Sequence, residues 1–302
     1  MSRILLGLIL AAILGPFMGI DAQAADSVTK IVLPISRVKM QGYTALCWVY
    51  TTLSAVETNF LVRNPEATID LSPSAMQFQT WKDRYLRRIQ GKEDRLIEAG
   101  AAIDAISLIR EHGLFPEESF PRTVKQWDRE PLDPLSFNLS PFRSESLDAL
   151  LVPIFGTLPQ SIQSKSFSGS PQALAALILG DKPWKAYGVS KNGFVGADTH
   201  WDMDARKGTT ATYLPLNDVL GLIRKSLEKG NALVVSFGSP TTNEGGHAVQ
   251  VFGAEYRSDG APILYHLKDS NQRDDPRQNV WSMDAEGFNS ILRGITTIDL
   301  AG

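Results

Sequence analysis

Gln41-Gly42-Tyr43-Thr44-Ala45-Leu46-Cys47-Trp48-Val49-Tyr50 contains the only cysteine of the chain. From Cys47 onward Trp48, Leu53, Val56 and Phe60 recur near helical spacing on an apolar stripe, so a helix is expected to start at Cys47. The residues before it read as an irregular turn. A helix N-terminus presents unpaired N–H groups and the positive end of the macrodipole, and both favour a thiolate over a thiol. Gln41, upstream, can fold back and bring its side-chain amide toward the sulfur. A cysteine nucleophile needs such a donor to hold the oxyanion of an acyl-transfer intermediate. The competing reading is a structural cysteine, since free cysteines are among the most buried residues.

The complementary stretch lies far downstream: Gly245-Gly246-His247-Ala248-Val249-Gln250-Val251-Phe252-Gly253, then Ile263-Leu264-Tyr265-His266-Leu267-Lys268-Asp269-Ser270-Asn271. These are two strand-like runs joined by the polar turn Tyr256-Arg257-Ser258-Asp259-Gly260. His247 opens the first run and Asp269 closes the second, and a hairpin brings such positions together. A cysteine nucleophile needs a histidine as base or ion-pair partner, and that histidine needs a third group to fix its tautomer.

The chain has four histidines. His112 stands before Gly113 at an expected helix end, where a positive ring complements the dipole. His266 and Asp269 are three residues apart on one strand, so their side chains face opposite ways. His200 belongs to Asp198-Thr199-His200-Trp201-Asp202-Met203-Asp204, whose alternation puts Asp198, His200, Asp202 and Asp204 on one face of a strand. Oxygen and imidazole ligands there could hold a metal; the solvated face of an edge strand is the alternative, and no metal is expected. His247 alone combines small residues before it with an apolar strand after it.

Working outward, Ile31 to Ile35 reads as an edge strand interrupted by Pro34. Asn64-Pro65 ends the Cys47 helix near Val62. Ser72-Pro73 is an N-cap followed by proline at the first helical position and opens a helix to about Arg88. Gly100 to Glu111 is a helix with Ala101, Ile103, Ala105, Ile106 and Ile109 on its apolar face, stopped by Gly113. Residues 121 to 170 are rich in proline, serine and aspartate and read as connections and insertions. Pro171 to Leu179 is a short helix. Val219 to Lys229 is a helix burying Leu220, Leu222, Ile223 and Leu227, capped by Gly230. Ala232 to Phe237 is a continuous buried strand, and residues 245 to 300 alternate strands and turns.

The length of 302 residues allows a sizeable core in one large or two small domains. Hydrophobic residues make up 43% and charged residues 21%, ordinary values for a globular chain, and the net charge of −3 gives no footprint for nucleic acid or an anionic membrane. Residues 1 to 24 read as a cleavable signal peptide: Arg3, an apolar run from Ile4 to Leu14, a break at Gly15-Pro16, and Ala22-Gln23-Ala24 as a small-x-small cleavage site. An uncleaved anchor is the alternative, but the run is short for a membrane span. The expectation is a secreted or periplasmic protein with no stable membrane insertion after cleavage. One cysteine excludes an internal disulfide, and a free thiol in an oxidising compartment runs the risk of oxidation, which makes best sense if the thiol has a task.

Taken together, Gln41-x-x-x-x-x-Cys47-Trp48, the distant His247-Ala248-Val249 and Tyr265-x-x-Lys268-Asp269-Ser270 resemble the papain-like cysteine peptidases. Leu71-Ser72-Pro73-Ser74, Glu98-Ala99-Gly100, Ile109-Arg110-Glu111-His112-Gly113-Leu114-Phe115-Pro116 and Phe120-Pro121 are similar to the segment after the catalytic helix in that superfamily. Tyr213-Leu214-Pro215-Leu216-Asn217-Asp218 and Leu227-Glu228-Lys229-Gly230-Asn231-Ala232-Leu233-Val234-Val235 resemble the bleomycin hydrolase and aminopeptidase C branch. The resemblance implies an α+β fold, with a helical left lobe at about 40–125, insertions at about 126–210 and a β-rich right lobe at about 211–302, the active site lying in the cleft between lobes. It implies a Cys47 nucleophile, His247 as its partner, Asp269 orienting His247, Gln41 and the Cys47 N–H as the oxyanion hole, and Trp48 and Ser270 in support, acting on peptide or protein substrates without a cofactor. The sequence departs from the pattern at Asp269, usually asparagine, and at Asn271, usually a tryptophan that shields the third residue; a wetter site is expected. It is also shorter than typical bleomycin hydrolases. Two other classes share these residues: a Cys-His-Asp acyltransferase of the transglutaminase-like kind, and an inactive peptide-binding module that kept the cleft.

Overall fold

The helix that begins at Cys47 forms the centre of the molecule, and the other elements are arranged around it. The computed structural model describes residues 27–42, 44–92, 99–122, 147–164, 167–190, 211–238, 246–271 and 276–300. Helix α1 runs Cys47–Arg63, and every residue from Trp48 to Asn59 is buried, so it is covered on all faces rather than along one stripe. Its polar side chains must therefore find partners inside the protein. Thr51 Oγ1 donates to the Ala248 carbonyl at 2.9 Å, and Thr58 Oγ1 accepts from Gln250 Nε2 at 2.8 Å. Asn59 exchanges two bonds with the backbone of Ala232, at 3.2 and 2.6 Å. These bonds fasten the helix to the β-rich half.

On one side lie helices α2 (Pro73–Ile89), α3 (Ala102–His112), α4 (Leu147–Phe155) and α5 (Pro171–Leu179). Ser72 and Ser170 cap α2 and α5 by accepting from the N–H three residues on, each with proline at the helix start. Gly113 ends α3 at φ 87°, where a side chain would be strained. Trp48, Trp81, Tyr85, Ile106 and Phe155 fill the shared core, with Phe78 packed edge-on against Phe120 and Phe155 at centroid distances of 6.4 and 5.9 Å.

On the other side is an eight-stranded sheet. Its strands are β1 (Thr29–Val32), β4 (Trp184–Val189), β5 (Thr212–Leu214), β6 (Leu233–Phe237), β7 (His247–Tyr256), β8 (Pro262–Lys268), β9 (Val280–Asp284) and β10 (Leu292–Ile298). A separate small hairpin pairs β2 (Ile162–Gln163) with β3 (Ser168–Gly169). The sheet order is β5-β4-β10-β6-β7-β8-β9, antiparallel except for β4 with β5. Strand β1 pairs with Gly253–Tyr256 of β7, continuing the side on which β6 pairs with His247–Val251. Side chains alternate between two cores: Val234 and Ala248 face the helices around α1, whereas Val235, Val249 and Val251 face α6 (Leu216–Glu228) and α7 (Ala285–Ile291). Burial on both faces explains why β6 reads as a continuous apolar run. Phe288 of α7 stacks on Tyr265 at 4.0 Å between centroids.

In the region 126–210, read as insertions and connections around the short helix at Pro171–Leu179, the described part contains that helix, α5, and also α4, the β2–β3 hairpin and β4. Pro153 inside α4 hides the helix in the sequence. Strand β4 buries Trp184, Ala186 and Gly188 alternately, and two of these are too small to register as an apolar pattern. Helix α6 starts at Leu216, not Val219, because the Pro215 carbonyl accepts from the N–H of Asp218 and Val219. It buries Val219, Ile223 and Leu227, while Leu220 and Leu222 are half-buried. The alternating run at Asp198, His200, Asp202 and Asp204 and the leader 1–24 lie outside the described residues. Among the described residues no helix is long and apolar enough to cross a membrane.

Candidate active site

Cys47 is the first residue of α1 and is half-buried. No acidic residue occupies the first turn of this helix, so the positive end of the dipole is not neutralised there. Thr51, one turn further, is bonded to the start of strand β7 through the Ala248 carbonyl. That bond brings His247, the first residue of β7, beside Cys47, close enough for the two side chains to interact.

His247 Nε2 lies 2.7 Å from Asp269 Oδ1, which leaves Nδ1 for the sulfur. Asp269 follows directly on the end of β8. Its Oδ1 also accepts from the Asn271 N–H at 2.9 Å. The Asp269 side chain is 2% exposed and that of His247 27%. The wetter site expected from Asn271 in place of tryptophan is therefore not found at the third residue: the backbone of the 269–271 turn itself covers the carboxylate. Burial lowers the His247 pKa, but the hydrogen bonds with Asp269 and Cys47 and their charges outweigh burial and raise it from 6.5 to about 9.

Gln41 is buried and held from four directions. Its N–H donates to the Ser270 carbonyl at 2.8 Å, and Gly42 bridges to Asn271 alongside. Its Oε1 accepts from Ser270 Oγ at 2.6 Å. Its Nε2 donates to the Thr44 carbonyl at 2.8 Å, which uses one of two amide hydrogens. Its carbonyl accepts from Thr44 Oγ1 and from Arg122 Nη2 at 2.9 and 3.0 Å. The hydroxyl on Oε1 fixes which way the amide points. Trp48 is buried beneath Gly100, where an added Cβ would stand 2.5 Å from the indole, and the Arg84 guanidinium lies 5.7 Å from its ring centroid. The six side chains named from the sequence lie around the start of α1, the start of β7 and the end of β8. His266 instead bonds Ser282 Oγ at 2.8 Å, and His112 pairs with Glu111 at the end of α3.

Two further sets of residues were not legible in the sequence. Arg122 bonds the carbonyls of both Met40 and Gln41 and lies 5.4 Å from the Tyr50 ring centroid. Glu57, fully buried on α1, accepts from Lys39 Nζ at 2.5 Å, Ser36 Oγ at 2.5 Å and the Leu71 N–H at 2.6 Å. Lys268 Nζ donates to both Ser36 oxygens at 3.0 Å, and Lys39 also pairs with Asp70 at 3.0 Å. Burial pulls the Lys268 pKa down to about 8, partly opposed by Glu57. Lys39 stands two residues before Gln41, Lys268 directly before Asp269, and Glu57 on the Cys47 helix. One ion cluster therefore ties together the three segments that carry the site. Among the described residues no group of three or more His, Cys, Asp and Glu side chains is placed to hold a metal ion.

The crystal structure of PepW from Lactobacillus rhamnosis matches this arrangement at a TM-score of 0.62 and 11% identity, over 89% of this chain and 81% of that one. The fold is the papain-like α+β fold. A digestive procathepsin L 3 from Tenebrio molitor larval midgut matches at 0.43 and 14% identity, over 90% and 69% of the two chains. Xylellain, a cysteine protease from Xylella fastidiosa, matches at 0.42 and 15% identity, over 90% and 86%. No family model and no curated protein matches the sequence. Within this papain-like fold the Cys47–His247–Asp269 line runs across the junction of the helical half and the sheet.

Proposed function

We propose that the chain is a cysteine peptidase that cleaves peptide bonds through an acyl-enzyme on Cys47. The observation that carries this reading is His247, set beside Cys47 at the start of α1 and bonded to Asp269 at 2.7 Å. The Cys47 thiolate attacks the scissile carbonyl carbon, and a C–S bond forms as the carbonyl π pair moves to oxygen. Gln41 Nε2 and the Cys47 N–H donate to that oxyanion; losing one donor of this kind costs about 10²–10³ in kcat. Imidazolium His247 gives its proton to the departing amine as the C–N bond breaks. A water then gives a proton to His247 and adds to the thioester; the C–S bond breaks, releasing the acid and restoring the pair. Asp269 holds the imidazole in orientation throughout and favours its charged form. No step needs a cofactor.

The apolar leader with its Ala22-Gln23-Ala24 site supports export to the periplasm or outside the cell. The deciding test is hydrolysis of a mixed peptide library by wild type and Cys47→Ala, with products identified by mass, with and without an added amine. We expect cleavage by wild type only, with a folded variant and water as the acceptor. Transfer to the amine in preference to water would point to an acyltransferase instead, and equal inactivity of both proteins would point to a binding module.

A further inference from the structure

The turn Asp269-Ser270-Asn271 makes three of the site's contacts at once. Asp269 holds His247, Ser270 orients the Gln41 amide, and the Asn271 N–H supports the Asp269 carboxylate. It lies just past the last paired residues of β8 and β9, Lys268 and Val280. Asn279, the final residue of a short 3-10 turn (Pro276–Asn279), stands opposite and is fully buried. Its carbonyl accepts from the Asp269 N–H at 2.8 Å, which carries the ladder one residue further. Its Nδ2 donates to the Asp269 carbonyl at 3.2 Å and also to the Asn271 carbonyl. A carboxamide nitrogen has two hydrogens, and two acceptors face it here. A hydroxyl supplies one and a carboxylate none, so asparagine matches this pair of acceptors by its chemistry.

We propose that Asn279 is a positioning residue of the active site: by clamping the carbonyls on either side of Ser270, it sets the Asp269 carboxylate against His247 and the Ser270 hydroxyl against Gln41. The inference rests on the reading of Cys47, His247 and Asp269 as one catalytic set. Without the clamp, two carbonyls at the buried turn lose their donor, and the turn reorganises to find others. His247 then loses part of the bond that keeps it charged, and the Gln41 amide loses its fixed direction. Asn279 itself is fully buried and its hydrogen bonds are with the backbone of Asp269 and Asn271, so it is expected to act on kcat rather than on substrate affinity.

The test compares wild type, Asn279→Ala, Asn279→Leu, Asp269→Ala and Cys47→Ala. Leucine keeps the branched four-heavy-atom outline of asparagine and removes both donors, whereas alanine removes the donors and the bulk together, so an effect common to both variants belongs to the hydrogen bonds. Two quantities are read: the His247 titration midpoint by NMR of the imidazole, assigned through His247→Gln, and kcat and KM on a peptide substrate. We expect both Asn279 variants to lower the His247 midpoint by about one pH unit and kcat by about tenfold, with KM within about twofold. If Asn279→Ala does not fold, Asn279→Leu carries the comparison. A folded Asn279→Leu with the wild-type midpoint and kcat overturns the proposal, while loss of activity in Cys47→Ala and Asp269→Ala would leave the peptidase reading standing. A lowered midpoint in the Asn279 variants of a protein without Cys47-dependent hydrolysis would support the positioning role and remove the peptidase reading.

Discussion

Asp269 differs from an asparagine by a charge and by having no hydrogens to donate. Its Oδ1 accepts from both His247 and the Asn271 N–H, and an amide oxygen can accept both bonds as well. Asp269→Asn is therefore expected to retain activity within roughly tenfold of wild type, unlike the ~10⁴ loss of the same change in a Ser-His-Asp enzyme. The carboxylate charge helps to hold the His247 pKa at about 9, so its removal moves the alkaline limb of kcat/KM to lower pH. A folded pKa above the ordinary 6.5 also means that protonated His247 stabilises the fold. That contribution is complete below 6.5 and is lost as pH rises through about 9, and Asp269→Asn narrows the window from above. Asp269→Ala is expected to cost more in kcat, because nothing then orients the ring. pH–rate profiles of the three proteins check this; a wild-type profile for Asp269→Ala would remove Asp269 from the set.

At the scale of elements, the start of α1 is shaped by what lies on Trp48. The backbone at Gly100 approaches the indole so closely that a Cβ would stand 2.5 Å from a ring carbon. Arg84, on α2, holds the adjacent Ala99 carbonyl at 2.6 Å and so keeps the segment on the ring. A buried indole in a filled core has nowhere to retreat. We expect Gly100→Ala to destabilise the protein by about 1–3 kcal/mol through overpacking and to lower activity through the Trp48–Cys47 backbone. Thermal unfolding and kcat measured on the same preparation check both. A fall in activity with no change in unfolding temperature would mean that residue 100 meets substrate rather than Trp48.

Across the whole molecule, the helical half and the sheet are joined by buried polar groups as well as by apolar packing. Asn59 and Thr58 of α1 bond Ala232 and Gln250, and Glu57 receives Lys39 while Lys268 is held close by through Ser36. Removing the carboxylate leaves two buried ammonium groups without their nearest counter-charge. Glu57→Gln is therefore expected to lower stability by about 3–5 kcal/mol, in the range for breaking one side of a buried ion pair. Denaturant unfolding of the purified protein measures it. A loss below about 1 kcal/mol, the scale of an exposed pair, would show that the cluster is hydrated in solution.

By itself the sequence determined whatever has a local pattern. The starts of α1, α2 and α5, the stop at Gly113 and the β7–β8 hairpin are visible because caps, proline positions and turn residues act over a few neighbours. Of the candidate site residues, Cys47, His247 and Asp269 drew attention in the same way, each standing at or directly beside the end of such an element, while Gln41 did so by its place upstream of Cys47, and Trp48 and Ser270 entered through the resemblance. Tertiary structure alone decided how they are held. Ser270 reaches Gln41 across 229 residues, Lys268 reaches Ser36 across 232, and Arg122 reaches Gln41 across 81. Such bonds leave no spacing in the chain, and a lone buried glutamate in a helix reads like a surface one. Strand β4 was hidden because its buried positions are filled by Ala186 and Gly188, whose small side chains carry little hydrophobic signal until a sheet partner covers them.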